Sequence, residues 1–235
     1  MELSASALGL RDGSRALCAR ALTVALPGDD GPVVILKAVR ILVEPGTLTD
    51  VVGPSGAGKT TLLLALARLL PEVTGELELG GVPAGRIDPR AWRAAVAYLP
   101  QRSALVPGTV ADNLLLPWRF KVRGAGAAPD AARLREALDR VQLTDVALER
   151  PAERLSEGQS ARVALLRTVL SRPEVLLLDE PDAALDDESA EQVGRLTREF
   201  VDAGGGVVRV RHLRGDVRAD RRLHLEAGAL VEAAS

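Results

Sequence analysis

A chain of 235 residues, 47% of them apolar, can bury one sizeable core with an appended subdomain but is cramped for two independent domains. Its 30 basic and 32 acidic side chains nearly cancel, and two Trp, one Tyr and two Phe are too few for base-stacking platforms, so no nucleic acid partner is expected. The single cysteine, Cys18, excludes an internal disulfide, and the longest apolar run, TLLLALARLLP, is too short to span a bilayer and is interrupted by Arg68.

In chain order, residues 1–15 are small, polar and weakly patterned, and read as a flexible extension. They lack the basic-then-apolar layout of a secretory signal, so a cytoplasmic setting is expected. Strand-like segments follow at 21–26, 33–43, 47–53, 75–81, 95–100, 174–180, 206–212 and 221–232. Helical patterns separate several of them, which points to an α/β fold rather than a sandwich. Between Gln101 and Gly158 the β-branched runs give way to helix formers. There Leu134, Leu138 and Val141 recur at helical spacing behind Asp130, a suitable N-cap, and the stretch reads as a helical insertion.

The segment VVGPSGAGKTTL carries one of only three lysines in a chain with 27 arginines. Gly53, Gly58, Lys59 and Thr60 fit G-x-x-x-x-G-K-[ST] between an apolar strand and a helical run, the strand–loop–helix setting that this phosphate-binding loop requires. Gly53, Pro54, Ser55, Gly56, Ala57, Gly58, Lys59, Thr60 and Thr61 are therefore the candidate nucleotide cradle. Glycines let backbone N–H groups curl round a phosphate, and the following helix aims its positive end at the same anion. A compact ammonium fits among phosphate oxygens where a planar guanidinium does not, which explains the lysine. The Thr60 hydroxyl is the expected Mg²⁺ ligand.

Such a loop alone leaves kinases, GTPases and many ATPases open. The run EVLLLDEP reads as a buried parallel strand ending, as a Walker B strand does, in Asp179 and Glu180. Asp179 is the expected second Mg²⁺ ligand, and Glu180 is placed to polarise an attacking water.

Further residues sharpen the choice. LSEGQ, containing Ser156, Glu157, Gly158 and Gln159, stands about 20 residues before Asp179. Gln101 ends AYLPQ, AALD runs to Asp186, and His212 closes VVRVRH. With these in order, the chain over residues 16–230 resembles the nucleotide-binding subunits of ABC transporters. The resemblance implies one domain over 16–235: a P-loop core with a mainly parallel sheet, an N-terminal antiparallel β subdomain and a helical subdomain at about 102–170. It also implies ATP and Mg²⁺ as cofactors, with Gln101 as a metal ligand and relay, and His212 as the switch histidine. Two copies are expected to pair head to tail on ATP, with Ser156, Gly158 and Gln159 of one closing on nucleotide held by the other and Asp186 linking the paired sites. An integral membrane permease is the expected partner, which places the chain on the inner face of the cell membrane. DNLLLPW resembles a segment of iron-export-type ATP-binding subunits, making Trp118 and Phe120 candidate permease anchors, or else caps of the insertion's small core.

Four departures stand beside that resemblance. Glu157 replaces the family's usual glycine. The first hairpin offers Val24, Leu26 and Pro27 where the family stacks adenine on an aromatic ring. Asp50 interrupts the strand before the phosphate loop, where an unpaired buried carboxylate is costly, so an arginine or polar partner is expected beside it. The cluster Arg209, Arg211, Arg214, Arg218, Arg221 and Arg222, interleaved with Asp216 and Asp220, reads as a solvated edge, or as a contact for anionic lipid. A non-transport ABC-type ATPase and a regulatory nucleotide-binding module are the alternatives.

Overall fold

The computed structural model describes residues 15–29, 31–102, 104–120, 127–183, 185–211 and 219–232. Two sheets share the chain. β1 (Leu17–Leu26) and β2 (Val33–Val43) form an antiparallel hairpin, and β4 (Val73–Leu79) with the two-residue β5 (Val82–Pro83) completes a sheet of order β2-β1-β4-β5. The second sheet has the order β10-β9-β3-β8-β7-β6, built from β3 (Leu48–Val52), β6 (Val96–Leu99), β7 (Val175–Asp179), β8 (Gly206–Val210), β9 (Arg221–Glu226) and β10 (Ala229–Glu232). All its neighbours pair in parallel except β10 on β9.

Every residue of β3, β7 and β8 is buried because the sheet is covered on both faces, so these strands are mostly apolar, with Thr49, Asp50, Asp179 and Arg209 as their buried polar exceptions. Pleating divides their side chains between two cores. Val175, Leu177, Val208 and Val210 face the antiparallel sheet and α1 (Lys59–Leu66), with Leu22, Leu36, Leu62, Leu63 and Trp92. Leu176, Leu178 and Val207 face the opposite side. There they meet side chains of α3 (Val110–Leu115), α4 (Ala131–Arg140), α5 (Glu157–Leu170) and α6 (Asp187–Asp202). The short α2 (Pro89–Ala95) leads into β6.

The inserted helices start where local chemistry satisfies orphan N–H groups. Asp130 caps α4 by accepting from Arg133 N–H, and Thr109 with Asp112 forms a reciprocal capping box on α3. α3, α4 and α5 all lie between β6 and β7. Arg15, the last residue of the expected extension, is fastened to the fold by its ion pair with Glu174.

The partner expected for Asp50 is Arg209. The two sit side by side in the β3–β8 ladder, and Arg209 Nε and Nη2 donate to the Asp50 carboxylate at 2.8 and 3.1 Å. With its side chain 2% exposed, Arg209 is not part of a solvated edge, and that expectation is corrected: a charge in a closed interior is tolerated only against its counter-charge. Arg211 is also largely enclosed, paired with Asp182, whereas Arg222 is exposed. Arg214, Asp216 and Arg218 lie outside the described residues. No helix among the described residues is long and apolar enough to cross a membrane.

Candidate nucleotide site

Because β3, β6, β7 and β8 run in parallel, their C-terminal ends open on one edge of the sheet, the usual ligand edge of an α/β fold. The loop after β3, Gln101 after β6, Asp179 and Glu180 at the end of β7, and Arg211 after β8 all come to that edge.

The loop itself, residues 53–58, is shaped by its glycines. A Cβ on Gly53 would stand 2.2 Å from the Leu225 carbonyl oxygen of β9, and Gly58 takes φ 97° to open α1. Neither position admits another residue without strain. Gly58 makes no side-chain cap, and the first turn of α1 holds no acidic residue, so the positive end of the helix stays available to an anion. Lys59 is buried, its Nζ donating to the Gly53 and Pro54 carbonyls at 2.9 and 3.0 Å. Pro54, Ser55, Gly56 and Thr60 are exposed; Ala57 and Thr61 are partly buried. A cationic amine held inside a glycine loop at an uncapped helix start is a cradle for a polyphosphate.

Asp179 is buried, and the Tyr98 hydroxyl donates to its Oδ2 at 3.1 Å. Burial first, and the Asp179 charge second, push the Tyr98 phenol upward, so it stays protonated as a donor. Gln101 Nε2 donates to Glu180 Oε2 at 2.7 Å, joining two residues 79 positions apart. Glu180 has φ 45°, a left-handed conformation that costs an L-residue about 1–2 kcal/mol, and its N–H donates to the Val210 carbonyl. One residue beyond β8, Arg211 pairs with Asp182, which ties the loop after Glu180 to the end of that strand. The oxygen donors Thr60, Gln101 and Asp179 form a hard set suited to Mg²⁺.

Ser156, Gly158 and Gln159 form the start of α5. Ser156 Oγ accepts from Gln159 N–H at 3.2 Å and Gln159 Oε1 accepts from Ser156 N–H at 3.0 Å, a complete capping box. Glu157 occupies the first helical position, where a carboxylate complements the helix dipole. A Cβ on Gly158 would stand 2.8 Å from Ser189 Oγ, so glycine here lets the starts of α5 and α6 approach closely. Asp186 caps α6 by accepting from Ser189 N–H at 2.7 Å, and that bond, ahead of the other causes, holds its carboxyl below the usual range. His212 lies outside the described residues, as does Ala184 of the AALD stretch.

The expected residues thus fall into two groups. Those at 53–61, 101, 179 and 180 share the sheet edge, whereas 156, 158, 159 and 186 lie at the starts of α5 and α6. Three parts of the site were not singled out beforehand. Tyr98 carried the only signal available in advance, a hydroxyl in an apolar strand with Asp179 on the neighbouring one. The Asp182–Arg211 pair and the tie from Arg167, whose Nη2 donates to the Ala104 carbonyl behind Gln101 at 3.1 Å, join residues too far apart in sequence to be matched. In the first hairpin, Val24 is fully buried, Leu26 is partly buried and Pro27 is exposed. Phe120 is 58% exposed in the insertion, which argues against its being a cap of the core there.

A family model described as ABC transporter matches residues 36–183. The probable iron export ATP-binding protein FetA of Escherichia coli K12 is 33% identical over 207 residues, covering 86% of this chain and 90% of FetA. Protein STAR1 of rice is 42% identical over 159 residues; the match takes in 68% of this chain and 45% of STAR1. Other relatives are named for phosphonate or hemin import. Among solved structures, the dimeric post-hydrolysis state of the ATP-binding cassette MJ0796, bound to ADP and Pi, superposes with a TM-score of 0.78. It is 24% identical and covers 93% of this chain and 99% of that one, a likeness of fold. With more than half of its residues inside the family model and FetA matched over 86% of its length, the chain belongs to the ABC transporter family as an ATP-binding, ATP-hydrolysing subunit.

Proposed function

We propose that two copies of this chain close on ATP and Mg²⁺ and, by hydrolysing the nucleotide, drive a separate integral membrane permease from the inner face of the cell membrane. The observation that carries this is the 2.7 Å hydrogen bond from Gln101 to Glu180 at the edge where the glycine loop opens. It joins the border of the helical insertion to the candidate base.

Lys59 would exchange its two carbonyl acceptors for phosphate oxygens, joined by the N–H groups of residues 55, 56 and 58–60 around the start of α1. Thr60, Asp179 and Gln101 would hold the cation, and the bound nucleotide supplies a γ-phosphoryl group open to in-line attack by water. Glu180 would accept the water's proton, and His212 would complete the base's surroundings. Ser156 can cap α5 and still donate its own hydroxyl proton, because capping uses a lone pair of that oxygen rather than its hydrogen. The start of α5 at 156–159 is thereby suited to close on nucleotide held by a second copy, with Asp186 beside it. Loss of the γ-phosphate would loosen the pair, and Arg167 would pass the change between the Gln101 loop and α5. The insertion, about 102–170, would face the permease, with Phe120 and Trp118 as anchors. No nucleic acid partner is proposed. For cargo we take a metal ion such as iron, moved outward, as the first candidate, on the strength of the match along most of FetA.

An ATPase assay tests the core of this. Glu180→Gln should lower kcat by about 10²–10⁴-fold while ATP binding persists. Equal inertness of wild type and variant, with ATP bound to both, would make the chain a regulatory nucleotide-binding module. Capture from detergent-solubilised membranes should recover a permease, and recovery of ribosomes or DNA in its place would overturn the transport role. Cells lacking the chain should retain excess iron under iron load; unchanged iron content would remove iron as the cargo.

A further inference from the structure

Asp179 is one of two carboxylates at the end of β7, and the only one that receives a hydrogen bond from a neutral phenol. The geometry of that bond follows from the sheet. Tyr98 on β6 stands opposite Leu177 on β7, so Asp179, two residues further along, is its diagonal neighbour on the same face. The Tyr98 ring packs against the core of Leu62, Leu63 and Trp92, which fixes the hydroxyl relative to the sheet. A phenol has one proton to give, and Tyr98 spends it on Oδ2 at 3.1 Å. Oδ1 remains as the oxygen with which this buried carboxylate can meet a cation.

We propose that Tyr98 is a positioning residue of the metal site. It holds Asp179 by one oxygen so that the other is presented to a divalent cation in a single orientation. This rests on the reading of Asp179 as a Mg²⁺ ligand. Partners of this kind, one bond behind a metal ligand, change metal affinity by about tenfold or more when removed. Phenylalanine keeps the ring in the core and deletes only the donor.

The test uses the full chain with ADP and Mn²⁺, so that no turnover enters the reading. ADP affinity is measured by calorimetry in excess Mn²⁺ and in EDTA, and the dissociation constant in EDTA divided by that in Mn²⁺ reports metal coupling. Tyr98→Phe should lower that ratio about tenfold and leave ADP affinity in EDTA unchanged. Asp179→Asn should abolish the coupling, and Tyr98→Phe added to it should change nothing further. A Tyr98→Phe ratio within twofold of wild type, beside a coupling lost in Asp179→Asn, would leave Tyr98 a packing residue and overturn the proposal. Weakened ADP binding in EDTA would overturn it equally, since the effect would then lie in the cradle's structure. Coupling that survives Asp179→Asn would overturn it from beneath, by removing Asp179 as a ligand.

Discussion

α1 and α5 both carry a glycine at their N-terminal ends, yet their first turns are finished differently. α1 opens on Gly58 in a left-handed conformation, with no side-chain cap and no acidic residue in its first turn. α5 opens on Ser156 with a complete capping box and Glu157 beside it. The first helix leaves its orphan N–H groups and its positive end for a ligand, and Lys59 adds a cation to them. The second satisfies two of those groups from its own side chains and carries a compensating negative charge. An element with the same backbone can thus be a site in one place and a closed structural joint in another, depending on three or four residues. For α5 to meet nucleotide on a second copy, it has only the Ser156 hydroxyl proton and the N–H groups beyond the cap to offer. Its contribution is therefore expected to be weaker, and to matter only when the nucleotide is already held at α1.

The largest effect that sharpens this comparison lies behind α1, in the strand that delivers it. Asp50→Ala removes the buried carboxylate to which Arg209 Nε and Nη2 donate and should cost about 3–5 kcal/mol, read as a lowered denaturation midpoint in urea. Replacing both with valine should restore most of that loss, since the pair's attraction does little more than offset its desolvation. At the site, Lys59→Ala removes charge-assisted hydrogen bonds worth about 1.5–3 kcal/mol, so calorimetry should find ATP binding weaker by roughly 10–150-fold with the fold intact. Ser156→Ala should behave in the opposite manner. It removes a cap worth about 1 kcal/mol of stability, leaves the ATP affinity of a single copy unchanged, and abolishes ATP-dependent pairing in sedimentation. If Ser156→Ala weakened single-copy ATP binding as much as Lys59→Ala, the division of labour between the two helices would be wrong.

The smallest effect is a control remote from both termini. Burial raises the Glu199 carboxyl, an effect opposed by Arg140 and Arg195 and aided by Asp202, and its Oε2 is enclosed without a hydrogen-bond partner among the described residues. A carboxylate raised in the fold is destabilising once ionised. Glu199→Gln should therefore raise the thermal midpoint slightly at neutral pH, with the gain fading as pH falls through the raised value toward the ordinary carboxylate range. A gain that grew on acidification would contradict that assignment.

What the sequence exposed was what is local. β7 is buried on both faces and so is written as an apolar run up to Asp179, and Asp130 announces α4 because a cap acts three residues away. The phosphate loop was legible because glycine and lysine at fixed spacing have a direct backbone reason. The remainder depended on residues that only folding brings together. Arg209 looked like one of a series of alternating surface arginines, and its partner lies 159 positions earlier. Gln101 and Glu180, Tyr98 and Asp179, and Asp182 and Arg211 meet only because β6, β7 and β8 end on one edge. β5 went unnoticed because two residues, one of them proline, carry no periodicity. The start of β1 was placed at Ala21, four residues late, because the pattern across Leu17–Arg20 gives no sustained apolar run.

The claim that matters most is that Ser156 of one copy completes the cradle built by residues 53–60 of another. Ser55→Cys with Ser156→Cys, in a Cys18→Ala, Glu180→Gln background, gives a direct measurement: the yield of disulfide-linked dimer under mild oxidation. Saturation with ATP and Mg²⁺ should turn most of the chain into a doubly linked dimer, with little crosslinking when nucleotide is absent. Crosslinking that stays at the nucleotide-free level, in a variant shown by calorimetry to be filled with ATP, would contradict the two-copy sandwich.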